Sequence, residues 1–163
     1  GVPVGISSGA AVAAAIEAGA WRAVIGTAAF RDRELVVAAT AEYGDRIVVS
    51  ADARDGRIAA QGWTEATDLA ATDAVSELSA AGVSTFVYTD IARDGMLLGT
   101  DLDGLVAIAG AAGEGRVVAS GGVGSLDHLR ELAALKLANL EGVIAGKALY
   151  EGRFTLAQAL RTL

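Results

Sequence analysis

The sequence contains no cysteine, a single histidine (His128) and a single proline. Without cysteine there is no disulfide framework and no thiolate chemistry, and one histidine cannot make a histidine-rich metal site. The scarcity of proline, with no charge block or low-complexity tract, argues against linkers and disorder. Lysine and arginine are scattered in a chain of net charge −7, so no basic stripe predicts nucleic-acid or membrane binding. No apolar run approaches the roughly 20 residues that span a bilayer.

The 163 residues are 53% hydrophobic, which is enough to bury a core. We therefore expect residues 1–163 to form a single domain, and we expect a cytoplasmic location. The chain does not begin with methionine and opens inside an apolar run, residues 2–6. For this reason we also expect a further segment upstream of it.

Short β-branched runs alternate with helical patterns along the whole chain. The predicted strands are residues 2–6, 23–25, 47–51, 85–89, 116–119 and 142–145. The predicted helices are residues 10–18, 33–43, 67–81, 102–112, 126–137 and 155–163. Asp32 and Ser125 are typical N-caps at the start of two of these helices. The alternation predicts an α/β fold with a parallel sheet, built from six β/α units.

Two segments of the chain are nearly the same, because residues 46–56 and 85–95 each combine a β-branched run with the tetrapeptide Ala-Arg-Asp-Gly. The tetrapeptides begin at Ala53 and Ala92, 39 residues apart (92 − 53), about the length of one strand–loop–helix unit. Carboxylates therefore recur where predicted strands end, at Asp52, Asp55, Asp90 and Asp94. Ligands of parallel α/β folds bind at the carboxyl ends of the strands, so the repetition predicts acid–base chemistry there.

A second repeat relates residues 23–30 to residues 143–150 and aligns Gly26 with Gly146. Upstream of each segment a predicted strand ends in a glycine-rich turn, at residues 6–9 and 119–123. β/α barrels bind phosphate through backbone N–H groups of two consecutive units. In the first unit a strand leads through a glycine-rich turn into a helix, and in the second a strand leads through a single glycine into a helix. The sequence therefore predicts two phosphate sites on opposite sides of one face.

Several of these residues also have a purely structural interpretation. Either Asp55 or Asp94 could cap its own turn through an Asx hydrogen bond, and the sequence does not separate the two. Trp63 follows a strand-end loop and either stacks on a substrate ring or packs within the fold. Lys147 either contacts phosphate or keeps its amine in water. His128 is predicted to be a solvated helix residue.

Five motifs together resemble the ProFAR isomerase family of histidine biosynthesis. They are Ser50-Ala-Asp-Ala-Arg54, Gly62-Trp63, Val87-Tyr-Thr-Asp-Ile-Ala-Arg-Asp-Gly95, Ala119-Ser-Gly-Gly-Val123 and residues 142–156. The resemblance implies a (β/α)₈ TIM barrel, here with six of the eight β/α units. It also implies an Amadori rearrangement of a phosphorylated ribosyl aminoaldose to its aminoketose, without metal or organic cofactor. The sequences of these motifs are also similar to those of the actinobacterial form, which in addition isomerises phosphoribosyl anthranilate.

The resemblance assigns roles to individual residues. Asp52, Thr89 and Asp94 match catalytic positions of the family, and either aspartate could be the general acid. Gly121, Gly122, Gly146 and Lys147 match one phosphate site of the family. Gly26 and Thr27 match part of the other phosphate site, and Trp63 matches a substrate-binding position. The first two β/α units of the family have no counterpart here, and the first carries the partner catalytic aspartate. We therefore expect little isomerase activity from this chain alone.

Two further functions stay open at this point. The related cyclase of the same pathway, imidazole glycerol phosphate synthase, shares the half-barrel duplication and the phosphate sites. Thr89-Asp90 and residues 146–150 favour the isomerase over this cyclase. A non-catalytic, phosphate-binding fragment of a barrel is the alternative from another class, and it is favoured by the missing first strand.

Overall fold

A computed structural model describes residues 6–60 and 65–163 of the chain. Its helices are α1 (Gly9–Glu17), α2 (Arg33–Tyr43), α3 (Ala71–Ala80), α4 (Leu102–Ala112), α5 (Leu126–Ala134), α6 (Lys147–Tyr150) and α7 (Leu156–Thr162). Its strands are β1 (Ala23–Ile25), β2 (Ile47–Arg54), β3 (Arg57–Ala60), β4 (Glu65–Ala70), β5 (Thr85–Asp90), β6 (Arg116–Ser120) and β7 (Leu140–Ile144). None of the helices in this described part is long and apolar enough to cross a bilayer.

The predicted helix starts are confirmed by their capping hydrogen bonds. Asp32 Oδ1 accepts the Leu35 N–H at 3.0 Å, and Ser125 Oγ accepts the His128 N–H at 3.3 Å. Each of these caps satisfies a backbone donor that has no partner within its own helix. The helices α2 and α5 therefore begin where the sequence places them.

The sheet is parallel along its central path. Strands β1, β2, β5, β6 and β7 pair in that order, and Ile6 adds a parallel bridge to Ile25 on the far side of β1. Within the described residues β7 pairs only with β6, so the sheet is open. The predicted α/β fold is thereby confirmed as a partial barrel with six parallel positions. Residues 2–5 of the first predicted strand lie outside the described residues.

A β-hairpin replaces the start of the helix predicted over residues 67–81. At the first Ala-Arg-Asp-Gly tetrapeptide, Asp55 (φ 51°) and Gly56 (φ 73°) both take left-handed conformations. Two such residues form the tight turn that matches the twist of antiparallel strands, so β2 folds back on β3, which pairs in turn with β4. The helix prediction is therefore wrong for residues 67–70. The helix α3 begins only at Ala71, whose N–H donates to Gly56 O.

The second copy of the tetrapeptide has a different conformation. Residues 91–96 form consecutive turns, in which the Arg93 and Asp94 N–H groups both donate to Asp90 O. Of the four residues from Ala92 to Gly95, only Gly95 is left-handed, with φ 71°. The same four residues thus form a hairpin turn after β2 and a helical turn after β5. The difference arises because the first copy joins two paired strands, whereas the second bonds back to Asp90.

A buried polar cluster joins β5 to the start of α4. The Tyr88 hydroxyl donates to Asp101 Oδ2 at 2.8 Å, while Asp101 Oδ1 caps α4 by accepting the Gly104 N–H at 3.2 Å. A Cβ on Gly104 would overlap both Asp101 Oδ2 and the Tyr88 hydroxyl. The absence of a side chain at Gly104 therefore lets β5 and α4 pack close to each other.

Replacing Gly104 with alanine tests this packing. We expect Gly104→Ala to destabilise the fold by about 1–3 kcal/mol, because the methyl group must push apart a buried hydrogen-bonded pair. Gly110→Ala in the same helix is the matched control, since a Cβ there meets nothing within 4 Å. This control should gain roughly 0.5–1 kcal/mol from helix propensity. Urea unfolding measures both, and equal effects of the two substitutions would contradict the packing argument.

Candidate active site

Polar side chains form a row across the carboxyl ends of three neighbouring strands. The backbone register pairs Asp52 of β2 with Thr89 of β5, and Thr89 with Ser120 of β6. In a parallel sheet, side chains at paired positions project to the same face. The register continues from Ser120 to Ile144 of β7, which is apolar, so the polar row ends at β6. Two of the three predicted catalytic residues, Asp52 and Thr89, are therefore direct neighbours in the sheet.

Asp52 is held within this row by its own strand. The Ser50 hydroxyl donates to Asp52 Oδ1 at 2.7 Å from two residues earlier, which lies on the same face of β2. Asp52 is half-buried and Asp94 is exposed. Asp52 is thus the more buried of the two aspartates, and which of them is the general acid stays open.

The loop of residues 91–100, which carries Asp94, is anchored at its start by Asp90. Asp90 Oδ1 accepts the Ala92 N–H at 3.0 Å, and Asp90 Oδ2 lies 3.3 Å from Arg93 Nε. The backbone carbonyl of Asp90 accepts two further N–H groups from the same turn, those of Arg93 and Asp94. Asp90 was predicted only as one of the recurring acids, and its contacts give it the structural role of capping this loop.

The end of the loop packs on the glycine-rich turn that follows β6. The Gly99 N–H donates to Gly122 O at 2.9 Å, and the Thr100 hydroxyl donates to Gly121 O at 3.2 Å. A Cβ on Gly122 would overlap Gly99 O, and Gly121 and Gly122 are both left-handed, with φ of 86° and 78°. These two glycines are therefore required by the packing of the loop, whether or not a ligand is bound.

Gly121 also lies between two predicted catalytic residues. A Cβ placed on Gly121 would come within 3.4 Å of Thr89 Cγ2 and 3.6 Å of Asp94 Cβ. Thr89 itself is 6% exposed, so it is buried beside this turn. The glycine turn, the buried threonine and the loop aspartate thus meet at one place.

A cavity of about 320 Å³ opens at this meeting point. Its lining includes five of the predicted site residues, namely Asp94, Gly121, Gly122, Gly146 and Lys147. At Gly146 a Cβ would meet nothing within 4 Å, so the space left by its missing side chain belongs to the cavity. Ser120 and Leu97 line the same cavity and were not predicted as site residues. Ser120 lies inside the glycine-rich motif, which was the available sequence signal for it.

Lys147 has a definite partner at the edge of this cavity. Its Nζ donates to Gly95 O at 2.9 Å and lies 3.8 Å from Glu151 Oε1. The ammonium thus contacts the loop carbonyl next to Asp94, a contact between residues 52 positions apart in the chain. Its predicted contact with phosphate stays a prediction.

The residues predicted for the second phosphate site are not brought to this cavity. Gly26 precedes a 3₁₀ turn (Thr27–Phe30) after β1, as Gly146 precedes α6 after β7, so the two repeats have similar local structures. Gly26 and Thr27 are absent from the cavity lining. Trp63 lies outside the described residues. The second site therefore stays a prediction.

Tyr88 precedes Thr89 in β5 and projects to the opposite face of the sheet, toward Asp101. Burial, together with the hydrogen bond to Asp101, raises the pKa of Tyr88 well above its usual range. A buried phenol of this kind stays neutral and acts as a hydrogen-bond donor. Within residues 6–60 and 65–163, no cluster of three or more His, Cys, Asp or Glu side chains could hold a metal ion. The polar groups available at the site are carboxylates, hydroxyls, one ammonium and backbone amides.

A parallel sheet with its acids and its glycine-lined cavity at the carboxyl ends of the strands defines the class of β/α-barrel proteins. Within that class, the chain belongs to the family described as histidine biosynthesis protein, whose family model matches residues 1–155. The resemblance inferred from the five motifs is thereby confirmed.

Three curated relatives show how similar the chain is to this family, and each is named as a phosphoribosyl imidazole-4-carboxamide isomerase. The relative from Xanthobacter autotrophicus is 47% identical over 149 residues, covering 91% of this chain and 60% of the relative. That from Sorangium cellulosum is 46% identical over 156 residues, covering 96% and 64%. That from Bradyrhizobium diazoefficiens is 42% identical over 163 residues, covering 98% and 65%. The chain therefore spans less than two thirds of the length of these relatives.

The raised pKa of Tyr88 predicts a pH dependence of stability. The folded state favours the neutral phenol, and this preference adds to the free energy of unfolding. The contribution is present in full below about pH 10, where an unfolded tyrosine titrates, and it is lost as the pH rises above that value. We expect Tyr88→Phe to lose roughly 1 kcal/mol at neutral pH and to flatten the alkaline decline. Tyr150→Phe is the control, because Tyr150 is 94% exposed. Urea unfolding between pH 8 and pH 11 measures this, and an unchanged alkaline decline in Tyr88→Phe would contradict the assignment.

Proposed function

We propose that this chain carries a large part of the active site of an isomerase of histidine biosynthesis. The reaction is the Amadori rearrangement of the phosphoribosylformimino-aminoimidazole-carboxamide ribotide aminoaldose to its aminoketose. The observation that carries the proposal is the row of Asp52 and Thr89 beside a cavity lined by Asp94 and the glycine turn. Membership of the family and the names of the relatives favour this reaction over that of the cyclase.

The chemistry of the rearrangement fits the groups at this edge of the sheet. Opening the ribose ring requires an acid that protonates the ring oxygen, and forming the aminoketose requires a base that removes the C2 proton. Asp52 and Asp94 supply carboxylates from two neighbouring structural units, a strand end and a loop. Thr89 adds a buried hydroxyl next to Asp52 that can orient the sugar. Each of these groups acts without metal or organic cofactor.

Phosphate binding is the second part of the proposal. The cavity beside the glycine turn would hold one phosphate of the substrate through backbone N–H groups near Gly121, Gly122 and Gly146. Backbone dipoles can bind an anion in an acidic protein, because they add no net charge. Gly26, Thr27 and Trp63 would contact the other phosphate or the substrate ring. We further propose a cytoplasmic location, where such phosphorylated metabolites are retained by their charge.

The isomerase proposal is tested by kinetics on the chain alone and on the chain fused to the part of a relative that the alignment leaves out. We expect the fused protein to be the more active, because the described sheet is open beside the site. In the fused protein, Asp94→Asn should lower kcat by roughly 10²–10⁴-fold with an unchanged melting temperature. Asp52→Asn should lower both activity and melting temperature, because Asp52 is half-buried and accepts the Ser50 hydroxyl.

Two outcomes would contradict this proposal. A fully active Asp94→Asn variant, or equal melting temperatures for the two variants, would refute the division of roles between the aspartates. A fused protein that binds phosphate but does not isomerise either the aminoaldose or phosphoribosyl anthranilate would favour the non-catalytic fragment.

Phosphate binding is tested separately with Gly122→Val. We expect the affinity for inorganic phosphate to fall by about tenfold or more, since one lost hydrogen bond to a charged group is worth roughly 1.5 kcal/mol. Gly56→Val is the control for backbone strain alone, because Gly56 has a similar φ of 73° in the hairpin turn but a Cβ there meets nothing within 4 Å. Both variants should lose stability, and only Gly122→Val should lose affinity in calorimetry. Equal phosphate affinities would place the anion elsewhere.

A further inference from the structure

The side chain of Lys147 connects two elements that both line the cavity. Lys147 is the first residue of α6, which follows β7, and its ammonium reaches Gly95 O in the loop that follows β5. Gly95 comes directly after Asp94, and both residues line the cavity together with Lys147. A hydrogen bond at this carbonyl therefore acts on the peptide unit next to the candidate catalytic acid.

The other anchors of this loop lie at its two ends. Asp90 caps the start of the loop, and Gly99 and Thr100 bond to the glycine turn at its end. The middle of the loop holds Asp94, which is exposed, and Gly95, which is left-handed with φ 71°. A glycine in this region has wide conformational freedom. The Asp94 N–H is held by Asp90 O on one side of Asp94, and on the other side Lys147 holds the carbonyl of Gly95.

The hydrogen bond from Lys147 Nζ to Gly95 O is of a kind that can hold the loop in place, and we call it the tether. An ammonium donating to a neutral carbonyl forms a charge-assisted bond, which is stronger than a bond between neutral groups. Glu151 lies 3.8 Å from the same ammonium, one helical turn after Lys147, and favours its position at the cavity edge. The ammonium is thus oriented by its own short helix and extended toward the loop.

We propose that Lys147 is a positioning residue for Asp94. Its ammonium fixes the Gly95 carbonyl and thereby orients the Asp94 carboxylate over the cavity, while backbone amides bind the phosphate. The role in orienting an acid rests on the proposed isomerase function. The tether between Lys147 and Gly95 is a property of the loop that can be measured without activity.

The sequence offers a well-matched control for this proposal. Lys136 and Lys147 are the only two lysines in the chain, and Lys136 is exposed, outside the cavity. Lys147→Met removes the donor and keeps much of the apolar stem, whereas Lys147→Arg keeps a cationic donor. Lys136→Met removes the same charge from the protein without touching the loop.

The test is NMR on the whole chain, with the Gly95 carbonyl ¹³C shift and the hydrogen exchange of the Asp94 and Met96 amides as readouts. In Lys147→Met we expect the Gly95 carbonyl to shift upfield and the two amides to exchange about tenfold faster, because the closed loop has lost one charge-assisted bond. Lys147→Arg should restore both readouts, and Lys136→Met should change neither.

Two results would overturn the proposal. One is an unchanged Gly95 shift with unchanged exchange in Lys147→Met. The other is a loss of phosphate affinity in Lys147→Met with the loop unaltered, which would make Lys147 a phosphate ligand instead. In the fused enzyme, Lys147→Met should lower kcat more than it changes KM, with partial recovery in Lys147→Arg. If the NMR result holds while Asp94→Asn is fully active, the isomerase proposal fails and the tether stands.

Discussion

The contact between the loop of residues 91–100 and the glycine turn after β6 is the constraint on which the site depends. Gly99 and Thr100 donate to the carbonyls of Gly122 and Gly121, and no side chain larger than hydrogen fits between the two backbones. This contact closes one wall of the cavity and brings Asp94 beside the end of β5. Apart from the Thr100 hydroxyl it is made by backbone atoms, so it is sensitive to the glycines and to Thr100 and insensitive to most other side chains of the loop.

The composition bears on how the proposed phosphate would be bound. With a net charge of −7, the chain has no excess of positive charge to attract an anion. In the proposed function, backbone N–H groups near the glycines of the cavity would bind the phosphate instead, and they add no net charge. Asp94 lines the same cavity, so the proposed acid and the proposed anion site would lie side by side.

Most of the fold follows from local sequence signals, because strand runs, N-caps and glycines at helix ends act over a few residues. The hairpin after β2 was missed, since Asp55-Gly56 looks the same as Asp94-Gly95 in sequence and only the pairing with β3 and β4 distinguishes the two turns.

At the site, the sequence identified Gly121, Gly122 and Gly146 alike. It could not show that the first two are required by protein packing, whereas Gly146 faces open space. The partner of Lys147 lies 52 residues away and is set by the sheet, so no local pattern indicates it.

The two identical tetrapeptides have a consequence for how this protein can change. Since Ala-Arg-Asp-Gly supports both a hairpin and a helical turn, the conformation around Asp94 is imposed by the surroundings rather than encoded in the loop itself. Substitutions at exposed loop positions such as Met96 and Leu98 are then expected to leave the path of the loop unchanged. Substitutions at Gly99, at Thr100 or in the neighbouring glycine turn are expected to alter it, because these residues make the contacts that impose the path.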